Sequence, residues 1–390
     1  MKQLFSTLLF FTTVTQTVLA QKKDPAWDNT TNSRWGSPFE QIQINSGTDG
    51  TAQQAWYYQS TATTAQPLIV SLHTWSGDFS QEDPLAREAL LRNWNYIHPD
   101  FRGPNNHPDA CVSPLVIADI EDAIRYAVRR GHTDSTNINI IGVSGGGYAT
   151  LLGYMKIKYP VKSFSAWVPI SDLRSWYWES KGRNAKYAMD IEQVARQNNI
   201  MNWAELDRRS PLQMPVPVAW RKNSTLHIYA GIHDGYTGSV PISQSLLFYN
   251  KVAATFFPAD PKKMIPEKTI RSLLAQRSNP EADKHSTLYN RQIHLEKKAG
   301  PVSITIFEGG HEMLAPVALS LLPESRNNYL GKRKVLCIGD SNGAAENGWP
   351  QQLSKCMPYS SLMNISVSGN TIGFNNLGQP RLNTLANINR

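Results

Sequence analysis

The chain has 390 residues, 41% of them hydrophobic, and 39 lysines and arginines against 31 aspartates and glutamates give it a formal charge of +8. That length suits one large or two medium domains with sizeable cores, and three cysteines, Cys111, Cys337 and Cys356, are too few for a fold stapled by disulfides. The charge is dispersed, with no basic run interleaved with aromatics, so the composition argues against a nucleic-acid partner and leaves acidic polymers as compatible ones.

Residues 1–20, MKQLFSTLLFFTTVTQTVLA, have a basic start, an apolar run and a small-residue ending at Ala20. That pattern predicts a cleaved secretory signal, a mature chain beginning at Gln21 and an exported protein, periplasmic or secreted. No later stretch approaches the ~18 consecutive apolar residues of a membrane span, so no transmembrane segment is expected. Residues 21–39 are polar and read as a flexible lead-in.

From residue 40 onward, short β-branched or aromatic runs alternate with helical patterns. Strands are expected at 67–73, 95–101, 137–144, 163–171, 225–232 and 302–309, each ending at a turn signal. Between the second and third, Ile117, Ile120, Ile124 and Val128 recur at helical spacing, with acids first and arginines last, as the helix dipole favours. The alternation predicts a mostly parallel sheet with helices on both faces. Residues 255–300 are polar and punctuated by prolines, and read as an insertion. One domain is therefore expected over 40–325, and a second unit begins near 331.

Gly142-Val143-Ser144-Gly145-Gly146 fits G-x-S-x-G directly after an expected strand and before an expected helix at 148–159. A strand that turns sharply into a helix projects the serine hydroxyl, and the helix N-terminus offers backbone N–H groups to a developing oxyanion. A serine hydroxyl is a weak nucleophile, so it needs a base and an orienting carboxylate. Asp234 follows one expected strand and His311 follows the last, in the order Ser, Asp, His. Asp172 is the rival acid. His233 shares the loop of Asp234 and reads as structural.

These loops, together with HPDFRGPN (98–105), RRSPL (208–212) and DGYTGSVP (234–241), resemble the α/β-hydrolase superfamily, and more narrowly the catalytic domain of the prolyl oligopeptidase-like group. The resemblance covers roughly residues 40–320. It implies an α/β-hydrolase fold, with the backbone N–H groups of Gly145 and Trp75 as oxyanion donors. Relatives often carry glycines where this chain has Thr74 and Trp75. No zinc-ligand spacing, dinucleotide fingerprint or phosphate loop occurs, so neither metal nor cofactor is expected.

VLCIGDSNG (335–343) and NISVSGNT (364–371) resemble the first two blocks of the SGNH (GDSL-like) esterases, with Ser341 at the nucleophile position and Gly369 as an oxyanion donor. The later blocks that supply an acid and a base do not follow. Residues 331–390 therefore read as an incomplete, flavodoxin-like SGNH segment in which Ser341 lacks activation.

Acyl transfer by such a triad serves esters and peptides alike. The hydrolase core is preceded by only about 40 residues, where peptidase relatives carry a propeller, and the second unit resembles a family rich in carbohydrate deacetylases. Trp176 and Trp178, after a strand end, present rings that either stack on sugars or serve the core, two readings the sequence leaves equally open. The expectation is a carbohydrate esterase that removes acetyl or methyl esters from polysaccharide or oligosaccharide. Its different-class alternatives are a serine peptidase of the prolyl oligopeptidase type and a non-catalytic sugar-binding relative.

Overall fold

A computed structural model describes residues 35–323 and short pieces between 334 and 364. The expected signal, Ser341 and Gly369 lie outside the described residues. Ten strands form one sheet in the order β1-β2-β4-β3-β5-β6-β9-β12-β11-β10. Those introduced first are β1 (Glu40–Asn45), β2 (Ala52–Tyr58), β3 (Gln66–Leu72), β4 (Asn95–Pro99), β5 (Thr133–Val143) and β6 (Ser163–Trp167). A two-stranded hairpin, β7 (Arg196–Gln197) with β8 (Ile200–Met201), stands apart. The large sheet continues with β9 (Thr225–Gly231), β10 (Thr287–Leu288), β11 (Arg291–Ala299) and β12 (Val302–Phe307). Another pair, β13 (Lys334–Cys337) with β14 (Ser361–Asn364), is parallel.

The six strands β4, β3, β5, β6, β9 and β12 run parallel, as their alternation with helices predicts. Strands covered on both faces read as continuous apolar runs: Leu68, Ile69 and Val70 of β3 are fully buried, as are Ile140 and Ile141 of β5. The two flanks are antiparallel, β1 with β2 and β2 with β4 on one side, β10 with β11 and β11 with β12 on the other. Of the stretch 255–300, expected to be an insertion, Arg291–Ala299 is therefore strand β11 of the sheet. The segment 21–39, expected to be flexible, is packed at its end: Trp35 stacks on Trp56 at 5.7 Å and Phe39 meets Tyr58 and Tyr96.

Helices are α1 (Pro84–Arg92), α2 (Pro114–Arg129), α3 (Gly145–Lys156), α4 (Leu173–Gly182), α5 (Tyr187–Ala195), α6 (Trp203–Arg208), α7 (Val218–Arg221), α8 (Ser243–Phe256), α9 (Glu267–Gln276) and α10 (Ala315–Ala318). Their starts follow ordinary capping chemistry. Ser113 accepts from the N–H groups of Leu115 and Val116 ahead of α2, Asp83 accepts from that of Leu85 ahead of α1, and a proline opens each helix. Among the described residues no helix is long and apolar enough to cross a membrane.

The end of α3 has a less common device. Arg221, 1% exposed, donates to the carbonyls of Tyr154 (2.5 Å), Gly153 (3.0 Å) and Ile157 (2.6 Å) at the helix terminus, where backbone oxygens run out of intrahelical partners; the Gly153 oxygen also accepts the Ile157 N–H. Burial lowers the Arg221 guanidinium to about 10, so it remains charged at neutral pH and complements the negative end of the α3 dipole. Arg221→Met would keep most of the volume and strand the carbonyls of Tyr154 and Ile157. We expect it to lower unfolding stability by about 3 kcal/mol, read as a shift in the urea midpoint.

Candidate active site

Ser144 follows β5 without an intervening residue, and α3 starts at Gly145. Its φ of 57° and ψ of −116° put a non-glycine residue in left-handed backbone geometry, the strain a tight strand-to-helix turn imposes. Two hydrogen bonds hold the turn: Ser144 N–H donates to the Trp167 carbonyl at 2.9 Å, and Tyr148 N–H donates to the Ser144 carbonyl at 2.8 Å. The surrounding glycines are needed for close approach. A Cβ on Gly142 would lie 2.3 Å from the Gly146 backbone, one on Gly146 would lie 2.1 Å from the Leu72 carbonyl, and one on Gly145 would lie 2.2 Å from the Trp75 amide nitrogen.

That last contact brings together the two expected oxyanion donors. Trp75 lies on the loop after β3, the neighbour of β5, and this loop is pinned on three sides. The Thr74 N–H and hydroxyl both donate to Gln81 Oε1, at 2.9 and 3.0 Å. The Trp75 carbonyl accepts from the backbone N–H (2.9 Å) and side-chain amide (3.2 Å) of Asn105, and the Trp75 indole donates to Asp190 at 2.9 Å. No acceptor among the described residues takes the Trp75 N–H. The bulky Trp75 is accommodated where glycine is common because its ring turns inward, 2% exposed, and packs edge-on against Trp176 at 4.7 Å.

Asp234 and His311 follow β9 and β12, adjacent parallel strands, so both lie at the same carboxyl edge of the sheet as Ser144. His311 Nδ1 lies 2.8 Å from Asp234 Oδ2. The carboxylate is fully buried, and its other oxygen accepts from the N–H groups of Gly235 (2.9 Å) and Val240 (3.0 Å). These bonds leave the acid little freedom to rotate. Gly238 is obligatory beside it: a Cβ there would lie 2.3 Å from Asp234 Oδ1 and 2.7 Å from His311 Cβ.

The rivals are occupied elsewhere. Asp172 caps α4, accepting from Ser175 N–H at 3.1 Å. His233 Nε2 lies 2.7 Å from Glu308 Oε1, whose other oxygen lies 2.9 Å from His294 Nε2. Cys111 is buried and its thiol is pushed up to about 12 by that burial, which leaves it inert.

Of the two roles the sequence leaves open for Trp176, its position is that of a core residue. It is 1% exposed and its indole donates to the Ser239 carbonyl, so it braces the Asp234 loop from beneath. Trp178 is 54% exposed, but one face stacks on Trp203 at 5.4 Å. Sequence reasoning missed Arg183, which donates to the carbonyls of Gly238 and Ser239, each at 2.9 Å. Its one sequence signal is its spacing of seven from Trp176, which places both on one side of the same helical turn pattern. It also missed Glu308, which ties the acid loop to β11 and to the approach of His311, and for which isolated sequence offers no signal.

Residues 115–258 match the prolyl oligopeptidase family. The matched segment holds Ser144, Gly145 and Asp234. No curated protein matches the chain. Among solved structures, the chain is similar to the uncomplexed acylaminoacyl peptidase of Pyrococcus horikoshii, with 20% identity and a TM-score of 0.44, over 54% of this chain and 34% of that one. It is also similar to a puromycin-hydrolyzing peptidase of Mycobacterium tuberculosis, with 18% identity and a TM-score of 0.43, over 58% of this chain and 34% of that one. Prolyl oligopeptidase B from Galerina marginata gives 14% identity and a TM-score of 0.44, over 54% and 30%. The chain thus spans about a third of the length of these structures. The family match overturns the polysaccharide esterase expected from the sequence, because the segment that carries Ser144 and Asp234 matches a peptidase family.

Two outcomes follow from this geometry. Gly145→Ala pushes a methyl group into the Trp75 amide, and we expect at least about a 100-fold loss of turnover with the fold retained if that amide is the oxyanion donor the sequence leads one to expect. Burial raises the Glu308 carboxyl, but hydrogen bonds from His294 and His233 outweigh it and hold the group below its ordinary 4.5. A lowered acid pKa adds stability above the unfolded value and loses it as pH falls through the folded one. Glu308→Gln is therefore expected to lower Tm at neutral pH, with the gap from wild type closing below about pH 4.

Proposed function

We propose that this chain is a serine hydrolase acting on peptide bonds, through an acyl-enzyme formed on Ser144. The observation that carries the reading is the 2.8 Å contact of His311 Nδ1 with a fully buried Asp234, two strands from a serine held in the strained turn before α3, within or beside a segment that matches a peptidase family.

Ser144 Oγ attacks the scissile carbonyl as His311 Nε2 takes its proton. Asp234 fixes the imidazole tautomer with Nδ1–H toward the carboxylate and stabilises the imidazolium that forms. The carbonyl oxygen becomes an oxyanion between the N–H groups of Gly145 and Trp75, next to the positive end of α3. His311 returns its proton to the leaving amine. A water then attacks the acyl-enzyme by the same route in reverse. No step needs a metal or an organic cofactor.

The test is a panel of chromogenic aminoacyl, acylaminoacyl and prolyl anilides with wild type, Ser144→Ala and His311→Ala. We expect turnover of at least one amide, reduced about 10⁴- to 10⁶-fold in both variants. Amide cleavage that persists in Ser144→Ala would refute the assignment.

A further inference from the structure

His73 begins the loop that carries Trp75, and its ring is 1% exposed. Nδ1 lies 2.9 Å from the Thr74 carbonyl oxygen, and Nε2 lies 2.6 Å from the Asp100 carbonyl oxygen. A neutral imidazole has one donor and one bare lone pair. Whichever tautomer were present, that lone pair would face a carbonyl oxygen at contact distance inside the protein. Only a ring protonated on both nitrogens satisfies both acceptors.

Three further observations suit a buried cation. The 2.6 Å separation is as short as a charge-assisted hydrogen bond. The ring lies flat on Phe101, with centroids 3.8 Å apart and planes within 7°, so its charge rests on an aromatic face. Phe101 in turn has a φ of 33°, so the chain bends sharply to present both the ring and the Asp100 carbonyl. The Asp100 carboxyl is held above its ordinary range by burial, which outweighs the opposing pull of His73.

The other titratable groups packed around the ring do not supply the missing donor. From the same loop, Asp78 acts on Asp100. From β4, His98 lies 6.3 Å away ring to ring, is lowered to about 4 by burial and stays neutral, with Asp83 of the α1 cap 3.7 Å beyond it. From α2, Asp119 is taken up by Arg102.

We propose that His73 is a buried imidazolium and a positioning residue for the oxyanion site. Its two donated bonds lock the peptide between residues 73 and 75 against the strand-end carbonyl of Asp100, which sets the direction of the Trp75 N–H. The backbone agrees with this role, since a Cβ on Gly146 would lie 2.9 Å from the His73 carbonyl oxygen, so the same residue abuts the nucleophile turn. Its catalytic part rests on the peptidase reading of Ser144. Its protonation does not.

The experiment is nitrogen NMR of ¹⁵N-histidine-labelled protein at about pH 8, where a free imidazole is neutral, with the His73 signals assigned by their loss in His73→Gln. Both ring nitrogens of His73 are expected to be protonated. A bare ring nitrogen would overturn the proposal, whatever the enzyme cleaves. His73→Gln, whose two N–H donors share one nitrogen instead of sitting on opposite sides of a ring, is expected to keep its far-UV spectrum and to lose about ten- to a hundredfold in kcat with little change in KM. A protonated His73 with unchanged kcat in the folded variant would overturn the positioning role. If no amide is turned over by wild type, the peptidase reading fails and the protonation result still stands.

Discussion

The site depends on the absence of one carbon atom. With no Cβ at Gly145, the start of α3 approaches the Trp75 peptide so closely that a methyl group would sit 2.2 Å from its amide nitrogen. With none at Gly142 or Gly146, the strand-to-helix turn closes on itself and on the end of β3. Ser144 is forced into left-handed geometry by this packing, and a sheet whose central strands are buried on both faces supplies the rigidity that sustains the strain. The placement of Ser144 and of the Gly145 and Trp75 amides follows from these close contacts.

Around this turn the remaining chemistry is arranged by strand order. β3, β5, β6, β9 and β12 are consecutive neighbours running in one direction, so the loops with Trp75, Ser144, Asp234 and His311 emerge at one edge. Each loop has its own brace: Gln81 and Asn105 for Trp75, the N–H groups of Gly235 and Val240 for Asp234, and Arg291 paired with Glu312 beside His311. Helix α4 links two of them, because Trp176 touches the Trp75 ring and bonds the Ser239 carbonyl. A change in α4 should therefore be felt by both the oxyanion loop and the acid loop.

Much of this was legible in the sequence, for physical reasons. Parallel strands buried on both faces are unbroken apolar runs, which is why 67–73, 137–144 and 302–309 stand out, and G-x-S-x-G between strand and helix needs its glycines for steric reasons. The antiparallel flanks were harder. β1 reads EQIQIN and β11 reads RQIHLEKKA, polar sequences whose pairing is fixed by neighbours and which resemble loops when read alone. Trp176 and Trp178 looked alike in sequence, but two residues on a helix are some 200° apart, and one ring went into the core while the other faced out. The choice of substrate failed for a different reason. A triad cuts esters and amides by the same steps, so the lean toward sugar esters came from context around the site, and the family match of 115–258 reversed it.

Everything proposed for this site requires that Ser144 be a nucleophile whose acyl oxygen is received by the N–H groups of Gly145 and Trp75. The most direct measurement is a crystal structure of the protein treated with an organophosphonate that mimics the tetrahedral intermediate. We expect phosphorus bonded to Ser144 Oγ, with the phosphonyl oxygen within hydrogen-bond distance of both N–H groups and His311 beside the serine. An unmodified Ser144, or an adduct whose oxygen points away from Trp75, would contradict it.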